Sequence, residues 1–86
     1  MPELSRFLGI VITMYHQDHA PPHFHVRYGG RKAVVSIAPF VVMHGRLPPR
    51  VLGLVFEWAS MHRVDLIENW RRARRQATLR RIPPLE

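Results

Sequence analysis

Gly29-Gly30 separates two runs that alternate with a period of two, and no other feature restricts the fold as much. In the first run, His23, His25 and Arg27 share one face while Phe24, Val26 and Tyr28 share the other. In the second run, residues 31–38, Ala33, Val35 and Ile37 fall in phase with Phe24 and Val26. A glycine pair between such runs marks a two-residue hairpin turn, because the central positions of these turns call for positive φ. That turn sets a register: Tyr28 opposite Arg31, Val26 opposite Ala33, Phe24 opposite Val35, His25 opposite Val34 and His23 opposite Ser36.

Residues 7–15 are β-branched and aromatic without internal charge, which predicts a preceding strand. Loop 16–22, with Asp18 and Pro21-Pro22, would close it onto the next one. Thr13 then opposes His25, Tyr15 opposes His23 and Val11 opposes Arg27. Both registers put Ile10, Ile12, Met14, Phe24, Val26, Ala33, Val35 and Ile37 on one face, and a one-residue slip would mix the faces. Pro39 ends the third strand or marks an edge, Phe40–Met43 reads as a short fourth, and His44-Gly45-Arg46 as a turn.

From Val51 to about Gln76 there is no proline, and Leu52, Val55, Ala59, His62, Leu66, Trp70 and Ala73 form one helical stripe. Pro48-Pro49 suits the first turn of that helix. The stripe fits one long helix or two with a mild kink, since a sharp break would reset its phase. The expected fold is α+β: an antiparallel sheet of three to four strands (7–15, 23–28, 31–38, 40–43), one face covered by a C-terminal helix over 49–76. Residues 1–86 read as a single domain with an irregular tail over 78–86.

Composition narrows the function classes. The 86 residues contain no cysteine, so disulfides and thiolate zinc sites are excluded and a reducing cytoplasm is the expected compartment. No signal-peptide layout opens the chain, and the apolar run Phe7–Met14 is too short to span a bilayer. The formal charge of +7 is uneven: residues 63–81 hold seven arginines against Asp65 and Glu68. That end predicts an acidic partner, protein or nucleic acid, with a solvated helix face as the plainer account. Walker A, GxGxxG, nucleophile-elbow and HExxH motifs are all missing from the sequence, so no cofactor is expected.

The face opposite the core would carry Thr13, Tyr15, His23, His25, Arg27, Lys32 and Ser36, with His16, Asp18 and His19 at its rim. Three accounts stay open. One is a solvated sheet face, with loop histidines capping backbone groups. The second is a metal site drawn from His16, His19, His23 and His25 with Asp18, suited to zinc, nickel or iron. The third is metal-independent RNA cleavage, with His23 and His25 as acid and base, Arg27 or Lys32 stabilising charge and Tyr15 beside them. His62 reads as a satisfied, partly buried histidine, and Trp58 and Trp70 as core.

Several stretches together resemble one family: Ser5-Arg6-Phe7, Gly9-Ile10, Met14-Tyr15, Asp18-His19, Pro21-Pro22-His23-Phe24-His25-Val26, Tyr28-Gly29, Gly45-Arg46-Leu47-Pro48-Pro49, Leu54-Val55-Phe56-Glu57-Trp58-Ala59, His62 and Asn69-Trp70. The chain resembles domain of unknown function (DUF) family 4160 over nearly its whole length. The resemblance implies a small bacterial or archaeal protein whose gene looks like half of a two-gene, type II toxin–antitoxin-like cassette. It implies a small protein partner encoded nearby and a link to RNA or DNA, and it supplies no catalytic residues. The arginines at 71–75 depart from the family, so nucleic-acid binding there is not implied by it.

The expectation placed first is therefore an interaction component of a toxin–antitoxin-like module. It would bind a partner protein, and RNA or DNA through Arg71, Arg72, Arg74 and Arg75. A ribonuclease-type toxin is the main rival and a histidine-based metal-binding protein the third. A homodimer is left open, and no membrane association is expected.

Overall fold

The alternating runs form neighbouring strands of one sheet. In the computed structural model, which describes residues 2–86, five strands follow in sequence: β1 (Glu3–Phe7), β2 (Ile10–Thr13), β3 (His23–Tyr28), β4 (Arg31–Ile37) and β5 (Phe40–Gly45). They pair as an antiparallel meander in the order β1-β2-β3-β4-β5. Two helices follow, α1 (Pro49–Met61) and α2 (Arg63–Arg74).

The β3–β4 register agrees pair for pair with the expectation, from His23 opposite Ser36 to Tyr28 opposite Arg31. Thr13 opposite His25 and Val11 opposite Arg27 also agree. Of the glycine pair, Gly29 alone takes a positive φ, 58°. All eight residues assigned to the core face are buried, and all but Ala33 form one cluster with Val51, Val55, Trp58, Leu66, Trp70 and Ala73 of the helices.

The single strand expected over 7–15 is instead two strands. The chain turns back at Leu8-Gly9, both at positive φ (51° and 80°), and Glu3–Phe7 adds a first strand that buries Leu4 and Phe7. β5 extends through Gly45 rather than ending at Met43, with Gly45 paired to Ala33. Only glycine fits there: φ is +83°, and a Cβ would collide with the Lys32 carbonyl oxygen.

The helical region is two helices. His62 leaves helical geometry (φ −125°, ψ 29°), and its N–H bonds to the Ala59 carbonyl at 3.1 Å in a tightened turn. Asp65 in the first turn of α2 favours a helix start there. The break occupies one residue, so the stripe keeps its phase: Val55, Ala59, Leu66, Trp70 and Ala73 are all buried. His62 is partly buried against Trp58, ring centroids 5.5 Å apart.

The tail beyond α2 has no regular structure but is tied down. Ile82 is buried, its N–H bonding to the Leu4 carbonyl at 2.8 Å. Trp58 Nε1 donates to the Pro83 carbonyl at 2.9 Å. Asn69, buried in α2, pairs with the Arg80 backbone through both amide atoms, at 2.9 and 2.8 Å. No helix is long and apolar enough to cross a membrane among the described residues.

Candidate metal centre

Strand alternation puts His23 and His25 on the same side of β3, about 7 Å apart along the strand. The loop before β3 brings a third group to them. Its start is held at the end of α2: the Gln17 N–H bonds to the Ala73 carbonyl at 3.3 Å, and His16 Nε2 donates to the Ala77 carbonyl at 3.0 Å. Its end is held on the sheet, where the Ile37 N–H bonds to the Pro22 carbonyl at 3.0 Å. Between these anchors the loop folds back over the outer face and aims Asp18 at the histidines.

Asp18 Oδ2 lies 2.8 Å from His23 Nε2 and 3.2 Å from His25 Nε2. Its Oδ1 accepts the His19 N–H at 3.1 Å and faces His19 Nδ1 at 3.2 Å. His23 Nδ1 donates to the Pro21 carbonyl at 2.7 Å. Both ring nitrogens of His23 therefore face oxygen. Without a cation, only a doubly protonated ring donates to both; with one, Nε2 is a ligand whose orientation Nδ1 fixes. Burial raises the Asp18 carboxyl, but hydrogen bonds from His25 and His23, the His23 charge and the His19 N–H outweigh it, and the pKa is lowered to about 2.

The outer face is not the wet surface that alternation suggested. His23 is 5% exposed, and Thr13 and Ser36 are also buried. Trp70 packs on the His23 ring with centroids 5.1 Å apart, and the Tyr15 ring meets His25 edge-on at 4.5 Å. A cleft of about 210 Å³ opens beside the cluster, lined by Asp18, His19, Pro21, His23, His25, Val34, Met43 and His44 among others.

Asp18, His23 and His25 thus form one group, with ligand atoms all within 4.8 Å of one another. His19 is at the rim, exposed; its Nδ1 faces the far oxygen of Asp18, and its ring stands edge-on to His23 with centroids 6.3 Å apart. His16 is turned away to the tail. Arg27 is exposed one position further along the same face and does not line the cleft. The sequence places His44 in a turn, whereas β5 holds it opposite Val34, at the cleft; a register shift between Val34 and Val35 puts it there, and plain alternation from Phe40 would have set it opposite Ala33 on the core face. The Pro21 carbonyl had no sequence signal at all.

The arginines divide. Arg72 is directed inward to Glu68 (3.4 Å) and the Thr78 carbonyl (3.4 Å), and Arg75 lies 3.8 Å from Glu68. Arg71 and Arg74 are exposed. Arg74 borders a second hollow with Gln17, Asp18, His19 and Ala20.

A family model described as Domain of unknown function (DUF4160) matches residues 9–71. The chain belongs to this family. The match includes the whole candidate centre of this DUF4160 domain and ends before Arg72 and the packed tail. No curated protein and no solved structure matches the chain.

Proposed function

We propose that this DUF4160 domain binds one divalent transition-metal ion through Asp18, His23 and His25, with zinc the first candidate and an open position facing the cleft. The observation that carries this reading is the convergence of three ligand atoms within 4.8 Å around a buried histidine whose other nitrogen is tied to a backbone carbonyl. Ligand atoms around a tetrahedral zinc ion stand about 3.3 Å apart at bond lengths near 2.0–2.1 Å, so the 2.8 and 3.2 Å separations need only a small opening. Three protein ligands leave a fourth position for water or substrate, the arrangement of catalytic rather than structural zinc sites.

Zinc or nickel added to metal-free protein should raise its melting temperature, and Asp18→Ala should abolish the effect. An unchanged melting temperature with either metal rejects the reading.

The metal-independent ribonuclease reading receives less support. A general acid and a general base must face the substrate, whereas the His23 and His25 Nε2 atoms both face one carboxylate oxygen. Arg27, assigned to charge stabilisation, stands off the cleft.

A partner-binding role in a toxin–antitoxin-like two-gene module is the second proposal, and it is compatible with a metal centre. Met61 and Val64, on either side of the break at His62, are 65% and 81% exposed, which favours a protein contact at the α1–α2 junction. Co-purification with the product of the neighbouring gene, lost in Met61→Asp/Val64→Asp, tests it. The cytoplasmic compartment belongs to the same proposal and rests on the absence of cysteine.

A further inference from the structure

We propose that the arginine-lined end of α2 is a binding surface for a nucleic-acid strand, and that it runs directly into the candidate metal cleft. The second half of this statement rests on the metal reading; the first does not.

Two hollows meet at the loop that carries Asp18. Asp18, His19 and Ala20 line the metal cleft on one side and, on the other, a shallow depression of about 410 Å³ bordered by Arg74. The loop carrying Asp18 is thus a shared wall. An anion resting against Arg74 lies one loop's thickness from the candidate ion. Arg71 and Arg75 are three residues before and one after Arg74, and all three are exposed at the end of α2. Arg74 and Arg75, three and four residues after Arg71, are each its neighbours on the helix surface, so the positive charges cluster at this end and do not stand alone.

Cations in a last helical turn also offset the helix dipole, which is the plain account of such residues. Arg72 fits that account, being drawn in to Glu68 and the Thr78 carbonyl. Arg71 and Arg74 do not: they are exposed, and neither takes part in an ion pair among the described residues. Arginine presents a planar fork matched to phosphate oxygens. The depression beside Arg74 is lined by Gln17, Asp18, His19 and Ala20, with no large apolar side chain to insert into a lipid surface. A cluster of cations leading to a cleft fits an extended polyanion better than a single small phosphate. The overall charge of +7 adds long-range attraction for the same ligand.

The Asp18 carboxylate imposes a condition. A divalent ion held by that carboxylate with His23 and His25 would add positive charge at the shared wall and draw phosphate toward it. Strand and metal should therefore bind with positive coupling, each tightening the other by the same factor.

The test measures binding of fluorescent 20-nucleotide single strands, one RNA and one DNA, by anisotropy in EDTA and in zinc. Arg71→Ala/Arg74→Ala/Arg75→Ala is compared with Arg27→Ala/Arg31→Ala/Lys32→Ala, which removes three exposed charges from the β3–β4 hairpin. Both variants must keep the wild-type circular dichroism spectrum; single Arg71→Ala and Arg74→Ala variants replace the triple if it unfolds. The expected result is about a tenfold or greater loss for the α2 triple, a salt slope shallower by about 2, and little change for the hairpin triple. RNA and DNA arms of equal affinity indicate backbone recognition, and a gap between them indicates recognition of the sugar. Equal losses for the two triples, or no binding by the wild type, overturn the proposal. Arginine-dependent binding that zinc leaves unchanged overturns the coupling alone. If zinc also fails to stabilise the protein, it is the metal reading that has failed, while the strand surface stands.

Discussion

His23 donates its Nδ1–H to the carbonyl of Pro21, two residues earlier, at 2.7 Å, and this bond determines what its other nitrogen does. With Nδ1 occupied, Nε2 is directed at Asp18 Oδ2. The Pro-Pro-His sequence is thereby its own orienting device: the backbone that leads into β3 aims the ring that β3 carries.

The Asp18 carboxyl gives the domain an acid limit. Its pKa is 3.8 in an unfolded chain and lowered to about 2 in the folded one. Between these values the unfolded state binds the proton and the folded state does not, so stability falls as pH falls. The contribution is complete above about pH 4 and lost as pH drops through 2. Urea midpoints of the metal-free protein should decline over that window, and Asp18→Asn should flatten the decline. Asp18→Asn should also cost about 1–3 kcal/mol at neutral pH, because the histidine donors lose a charged acceptor. The same acid slope in wild type and variant would assign the decline to other groups.

Leu8 offers a stabilising substitution. It is 68% exposed and held at φ 51°, a conformation that costs an L-residue with a bulky side chain roughly 1–2 kcal/mol. Asn tolerates that region, and Asn-Gly is the preferred pair for this hairpin turn. Leu8→Asn should raise stability by about 1 kcal/mol, a melting-temperature rise of about 4–8 °C for a domain of this size. A lower melting temperature would mean that Leu8 makes a contact outweighing its backbone strain.

Asn69 is 2% exposed, and its amide makes two hydrogen bonds to the backbone of Arg80. Alanine there removes the partners of the Arg80 N–H and carbonyl, at a cost of about 1–3 kcal/mol. The tail should also loosen. Limited trypsin digestion should cut after Arg80 or Arg81 in Asn69→Ala well before it does so in the wild type. Equal cutting rates would show that Ile82 and Pro83 hold the tail alone.

How much of this was legible in the sequence varies by element, for physical reasons. The β3–β4 hairpin was legible because a glycine pair and strict alternation leave one register that buries Phe24, Val26, Ala33 and Val35 together. β1 was hidden by Glu3, Ser5 and Arg6, and by a turn that puts leucine where asparagine is usual. The helix break lacked glycine or proline, and a one-residue interruption left the apolar stripe intact. At the candidate centre, His23 and His25 followed from alternation. Asp18 joined them through a loop whose path depends on bonds to Ala73 and Ala77, more than fifty residues away in sequence. No local pattern carries that information, so His16 and His19 looked equivalent to Asp18 as companions of the pair.

The central claim is that Asp18, His23 and His25 form one metal site, and cobalt(II) titration followed by visible absorption measures it most directly. Tetrahedral cobalt bound by nitrogen and oxygen absorbs visibly, and zinc, which takes the same geometry, should displace it. The predicted result is a visible band saturating at one cobalt per chain, abolished by zinc, and absent in Asp18→Ala and His23→Ala, while His16→Ala behaves as wild type. No saturable band in the wild type, or an unchanged band in Asp18→Ala and His23→Ala, would contradict it.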